Sequence, residues 1–456
     1  MRHLGPVLPM MILLTVVTAG AIVSRRAPDQ TDLNVWVFAD GHADIFRDPA
    51  GDGGPSLLQL HRQRTGKSVG VELLFWRALE VRLLSMLLSP DSTSTPPDLV
   101  AVEIGAVGKF FRARVDDVGF VPLNDYLARS GWKDRILASR FAPYSKNGVI
   151  FGIPYDVHPV AIAYRKDLFD AAGIDLAAAR TWSEFHDKCL VAQRSWRDRG
   201  DRERFAMELT TTQVEWLLCM LMQRGINPVD DRDRVHLSDP RVAETVAFYA
   251  RLVAGPGKIG EPPPQSGGGY REIAQGRRAA FFCPDWRPMY LKRYTPSLDG
   301  RLRLMPMPRF DPGDAPTATW GGTMFGIPRN SRDPEAAWKL IETLLLSNEA
   351  MVARRRHTSV LPPVVSDWDD PEYQSPDPFF GGQHVMSMYV DLARQVPVRY
   401  ATPFTAVAQA ELTDVLGKAM RAIEAGRDAE LDALCRQWLS ESEAELRRRV
   451  AFGKLD

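Results

Sequence analysis

The earliest clear pattern is Leu33-Asn-Val-Trp-Val-Phe38, in which β-branched and aromatic residues alternate after the polar stretch Ala27-Pro-Asp-Gln-Thr-Asp32. That period predicts a strand, so the globular body starts near residue 32. A helical stretch opens at Ser56–Leu60, a second strand covers Val69–Leu74, a helix covers Leu79–Leu88, and a third strand lies within Pro96–Glu103. Apolar strands separated by helices predict an α/β fold whose parallel sheet is covered on both faces. Ligands of such sheets bind beyond the carboxyl ends of the strands, which singles out Asp40 and His42 after the first strand and Glu103 after the third.

Further along, Ala142-Pro-Tyr-Ser-Lys-Asn-Gly148 reads as loop, and Val149-Ile-Phe-Gly-Ile-Pro-Tyr155 as an extended crossing interrupted by proline. Thr181-Trp-Ser-Glu184 has the form of a capping box, and helical patterns follow near Val214–Met222 and Pro240–Val253. This part of the chain reads as mainly helical. Gly255 to Gly269, with three consecutive prolines and three consecutive glycines, reads as a surface loop. Leu302–Pro308 is extended, and Trp320-Gly-Gly-Thr-Met-Phe-Gly-Ile-Pro328 leads into a helix over Pro334–Leu346. The expected division is lobe 1 from 32–152 and 300–348, and lobe 2 from 153–299 and 349–456.

A chain of 456 residues exceeds the size at which one core keeps growing, which also favours two lobes. Hydrophobic residues make up 45% and charged residues 25%, the balance of an ordinary globular protein. Lys and Arg number 57, as do Asp and Glu, so no net field recruits nucleic acid, and none is expected as a partner. Cys189, Cys219, Cys283 and Cys435 are widely spaced and form no zinc pattern; buried thiols are favoured over disulfides. Asp40-Gly-His-Ala-Asp44 flanks an imidazole with carboxylates but lacks the calcium-loop pattern, so neither metal nor cofactor is expected.

At the N-terminus, Arg2 precedes a stretch without formal charge until Arg25, with an apolar centre at Met10–Val17 and small residues at Ala19-Gly-Ala21. Residues 1–27 are expected to be an export signal or an N-terminal anchor. No cysteine lies there to carry a lipid.

The run Phe151-Gly-Ile-Pro-Tyr-Asp-Val-His158, then Tyr164-Arg-Lys-Asp-Leu-Phe169, Ala172-Gly173 and Thr181-Trp-Ser-Glu-Phe185, resembles the family 1 extracellular solute-binding proteins of ABC importers in order and spacing. Later segments agree with the resemblance: Gln275-Gly-Arg-Arg-Ala-Ala-Phe-Phe282 before Asp285-Trp286, then Trp320–Ile327, then Phe380-Gly-Gly-Gln383 before Thr402-Pro-Phe404. The resemblance implies a two-lobed periplasmic-binding-protein fold, joined by crossing strands, with a ligand cleft between the lobes and closure by hinge motion. It implies an exported, extracytoplasmic monomer that hands a small molecule to ABC permease subunits.

Sugars present hydroxyls that donate and accept as well as an apolar C–H face, so their sites join carboxylates or amides to aromatic plates. Asp40, His42 and Glu103 from the strand ends, with Asp156, His158, Asp285, Trp286, Trp320, Gly321, Gly322 and Gln383 from the resembling segments, form the expected ligand set. The structural alternatives are a turn at Asp40, a capping role for Asp156, core burial of Trp286, and a turn-capping role for Gln383. No GxSxG, HExxH or P-loop pattern occurs, which places a carbohydrate hydrolase well behind a binding protein. A sensor subunit built on the same fold is the other alternative.

Overall fold

A computed structural model describes residues 31–49, 53–88, 96–112, 114–264 and 268–453. The signal or anchor expected over 1–27 lies outside the described residues. No helix among the described residues is long and apolar enough to cross a membrane.

The alternation at the start of the chain becomes strand β1 (Leu33–Val37), flanked by β2 (Val69–Leu73) and β3 (Leu99–Glu103), both parallel to it. Two short strands, β4 (Ser145–Lys146) and β5 (Val149–Ile150), form a separate hairpin, and β6 (Ile153–Pro154) joins the first sheet at its edge. Proline is at home there, because an edge residue owes no amide to the ladder. The second sheet holds β7 (Val160–Arg165), β8 (Phe205–Glu208), β9 (Gly260–Glu261), β10 (Arg278–Pro284) and β11 (Leu302–Pro306). Finally β12 (Thr323–Gly326) returns to the first sheet, antiparallel to β3. The orders are β2-β1-β3-β12-β6 and β11-β7-β10-β8-β9.

Each sheet is a middle layer, since successive strand residues point to opposite faces. In lobe 1, Val35, Val37, Ala101 and Phe325 enter one apolar layer, while Trp36, Val100, Val102 and Met324 enter the other. In lobe 2, Ile162, Ala280, Phe282 and Met305 face a helical layer, while Ala161, Ala163, Phe281 and Leu304 face a second one. Ser56 and Thr181 start helices through complete capping boxes with Gln59 and Glu184, as the second spacing predicts. All four cysteines are free and buried.

Three expectations change. Leu302–Pro306, expected to open a return to the first lobe, pairs antiparallel with β7, Met305 opposite Ile162. The helix Asn348–His357 packs Ala350, Met351 and Ala353 into the first lobe's core, so the chain stays there beyond residue 348. The second lobe carries the helices Trp182–Asp198, Pro240–Val253, Thr405–Glu424 and Leu431–Gly453 around its sheet. Its central strands β7 and β10 are buried along their whole length, and such continuous apolar runs carry no period-2 signature. Within the expected 255–269 loop, β9 extends the second sheet beside β8.

Candidate functional site

Two crossings between the sheets run side by side. Tyr155 N donates to Thr323 O (2.8 Å), Trp320 N to His158 O (3.2 Å) and Val160 N to Ala318 O (3.2 Å). A third segment joins them through Val157 N to Leu361 O (3.2 Å). The strand ends that flank this junction, and the helices that start there, bring the candidate side chains together.

From lobe 1, Asp40 is exposed in the first turn of the helix Asp40–Arg47, not in the expected loop. His42 of that helix is buried, edge-on to Tyr155 (4.6 Å between centroids) and Phe38 (5.3 Å), and burial drives its pKa down to about 3. Its Nδ1 has no partner, and the ring belongs to the core beneath the cleft. Glu103 ends β3 and caps the helix Ile104–Phe110, accepting from Gly105 N at 2.7 Å. Burial raises the Glu103 carboxyl above its ordinary range, against the pull of Arg399 and of that hydrogen bond.

From lobe 2 comes a line of rings. Trp216 meets Trp320 at 4.5 Å, Trp320 meets Trp286 at 6.2 Å, Trp286 meets Tyr290 at 6.2 Å, and Tyr290 stacks on Tyr294 at 6.1 Å and 5°. The Tyr290 phenol is raised by burial, by Tyr294 and by the Asp40 carboxylate. Glu215 likewise contributes to the raised pKa of Glu103 from the opposite lobe. The anchor behind the Trp286 turn is Arg287, which donates to both oxygens of buried Glu208 (2.8 and 3.1 Å) and to Phe282 O (2.7 Å).

At the base, Gly321 (φ +91°) and Gly322 (φ +151°) take backbone conformations that suit glycine. A Cβ on Gly322 would lie 2.7 Å from Tyr144 Oη and 2.8 Å from Arg140 Nη2. Asp156 is buried, and its oxygens are taken by Arg140 Nη2 (3.1 Å), Thr323 N (2.9 Å) and His158 Nε2 (3.1 Å). Asp285, equally buried, receives His158 Nδ1 (2.6 Å) and Leu361 N (2.8 Å). These three residues therefore sit behind the cleft surface with their hydrogen bonds made inside the protein.

Gln383 has a different job from the one expected. Its amide accepts from Leu304 N (2.8 Å) and donates to Leu304 O (3.0 Å), closing the free edge of β11. An edge strand needs such partners, and the turn Pro378–Gly382 supplies one.

Sequence reasoning passed over Tyr144, Glu215, Trp216, Tyr290 and Arg399. Tyr144 Oη, Glu215 Oε2 and Trp216 Nε1 are buried without a hydrogen-bond partner. Such orphans are uncommon in folded proteins and mark places where polar groups await one. The missed signal is a repeated dipeptide: Glu215-Trp216 matches Asp285-Trp286, a carboxylate beside an indole at the start of a helix.

The bacterial extracellular solute-binding protein model matches residues 86–352, more than half of the chain. The chain belongs to that family. The arabinooligosaccharide-binding protein of Halalkalibacterium halodurans is 24% identical over 417 residues, covering 88% of this chain and 87% of the relative. The protein of the same description from Bacillus subtilis is 21% identical over 341 residues, covering 72% and 73%. Among solved structures, the sugar-binding protein MalE of Xanthomonas citri superposes with a TM-score of 0.72 at 18% identity, covering 93% of this chain and 99% of that one. The B. animalis subsp. lactis ABC-transporter-associated binding protein, in complex with β-1,6-galactobiose, gives 0.68 at 18% identity, covering 92% and 97%. These likenesses establish the two-lobed fold of this family of solute-binding proteins.

Proposed function

We propose that this solute-binding protein captures an oligosaccharide between its lobes and delivers it, as an exported monomer, to an ABC importer. The observation that carries the reading is the line of rings from Trp216 to Tyr294 beside three buried polar atoms without partners. Aromatic faces match the C–H faces of successive pyranose or furanose rings, and the orphan hydroxyl, carboxylate and indole N–H match hydroxyls that both donate and accept. The relatives described as arabinooligosaccharide-binding point the same way.

In this reading Glu103 and Asp40 reach the ligand from lobe 1. Glu215, Trp216, Trp286 and Tyr290 reach it from lobe 2, with Trp320, Gly321 and Gly322 at the base. Asp156, His158 and Asp285 act from behind them. Contacts from both lobes favour the closed form, because a ligand that touches both stabilises closure by its differential affinity.

Thermal-shift and calorimetric titration with arabinotriose, β-1,6-galactobiose, lactose, maltotriose and ribitol tests this. A ligand specific to the native state raises the melting temperature saturably. One glycan is expected to do so, and Trp320→Ala is expected to need at least tenfold more of it for the same shift. No shift from any glycan, or chemical turnover of one, overturns the reading.

A further inference from the structure

His158 has both ring nitrogens on carboxylates of different origin. Nε2 lies 3.1 Å from Asp156 Oδ2, on the segment leaving the first sheet, and Nδ1 lies 2.6 Å from Asp285 Oδ1, at the end of β10 in the second. A neutral imidazole has one N–H, so only the imidazolium donates to both. The residue is buried and holds φ +55°, a left-handed conformation that a side chain with a Cβ adopts only when its surroundings impose it.

This ion group brackets the base of the cleft at each residue from Thr319 to Thr323, with Arg140 against Gly322. Arg140, which donates to Asp156, also donates to Thr319 Oγ1 at 3.0 Å. Trp320 N donates to His158 O, and a Cβ on Gly321 would lie 3.2 Å from the His158 ring. Thr323 N donates to Asp156 Oδ2 at 2.9 Å.

We propose that His158, held as an imidazolium between a carboxylate on the crossing and one at the end of β10, is a positioning residue that fixes the Trp320–Gly322 plate and thereby sets ligand affinity. This rests on the oligosaccharide reading only for the affinity it predicts; the charge and the positioning stand on the geometry. If His158 loses its proton, one of its two contacts becomes lone pair against lone pair, and two buried carboxylates lose the cation between them.

The groups facing His158 are Asp156 on its own segment, Asp285 at the end of β10, Arg140 acting through Asp156, and His42 from the helix Asp40–Arg47. Arg354, over the Tyr155 ring at 3.6 Å, and Glu103 stand one contact further away. Burial alone would lower the imidazole, but Asp156 and then Asp285 outweigh it and lift the pKa to about 9.

The test uses the whole protein without ligand first. With the ring nitrogens of histidine labelled, NMR at pH 7.5 is expected to show both N–H protons of His158, and indole emission is expected to change in a transition near pH 9. That transition should be missing in the double substitution His158→Gln, Asp285→Asn, where an amide pair restores donor to acceptor without a titrating cation. A glycan that binds the native protein should bind His158→Gln at least tenfold more weakly and the double variant nearly normally. A neutral His158 at pH 7.5, or emission with the same pH profile in native and double variants, overturns the proposal. Should His158→Gln not fold, Asp285→Asn and the native titration decide it. If no tested glycan binds, the oligosaccharide reading falls while the NMR and emission results still judge His158.

Discussion

The indole nitrogen of Trp286 donates to the backbone oxygen of Trp320 at 3.2 Å, so a ring from the second lobe pins the segment that carries the next ring. Removing the plate and removing the pin should therefore differ. Trp320→Ala is expected to weaken glycan binding by tenfold or more, about 1.4 kcal/mol or above, through lost stacking area. Trp286→Phe keeps a ring but leaves a carbonyl unpaired, and is expected to cost about 1 kcal/mol of stability with a milder loss of affinity. Calorimetric titration and urea unfolding of both variants separate the two effects.

Glycine is required at two crowded positions. A methyl group on Gly108, in the helix Ile104–Phe110, would overlap the backbone of Thr402, and one on Gly322 would meet Tyr144 and Arg140 at a left-handed φ. Gly108→Ala and Gly322→Ala are each expected to destabilise by roughly 1–3 kcal/mol, by overpacking and strain respectively. Melting temperatures falling by less than a degree would contradict this.

Gln383 makes the opposite prediction from the cleft residues. Gln383→Ala removes both bonds to Leu304 and is expected to cost about 1–2 kcal/mol while leaving ligand affinity unchanged. A changed dissociation constant with unchanged stability would return this residue to the ligand set.

Stability should fall on both sides of neutrality for separate reasons. His158 binds its proton more tightly folded than unfolded, so its contribution is complete below about pH 6.5 and is lost as the pH climbs through about 9. Asp156 goes the other way. Burial raises its carboxyl, but His158 and Arg140 hold it down at about 2, so its contribution is complete above about pH 4 and lost as the pH falls through about 2. Denaturant midpoints measured from pH 2 to 10 are expected to decline above about 7, and His158→Gln should flatten that alkaline limb.

The sequence made the three parallel strands legible because each keeps a short apolar run between polar turns, and made the crossings legible through the run from Phe151 to His158. Lobe 2 was harder to read for a physical reason. Strands buried on both faces, such as β7 and β10, have no alternation to distinguish them from buried helix, and β11 gives no sign of which sheet it joins. At the site, residue type singled out Glu103, Trp286 and Trp320 as candidates. It could not reveal that Asp156, His158 and Asp285 spend their hydrogen bonds on one another, or that Gln383 faces a strand edge. Tyr144, Glu215 and Trp216 meet their neighbours only through long-range packing, which no local pattern encodes.

The crossings themselves have a mechanical consequence. Three lengths of chain lashed edge to edge by Tyr155–Thr323, His158–Trp320 and Val157–Leu361 make a strap that resists shear, because sliding one ply past another breaks a bond, yet flexes across its width. Displacement about such a strap grows with distance from it. Trp320 is bonded into the strap through His158, so it stays close to the axis about which the strap flexes. In the oligosaccharide reading proposed above, a sugar ring on Trp320 meets a seat held by the strap itself.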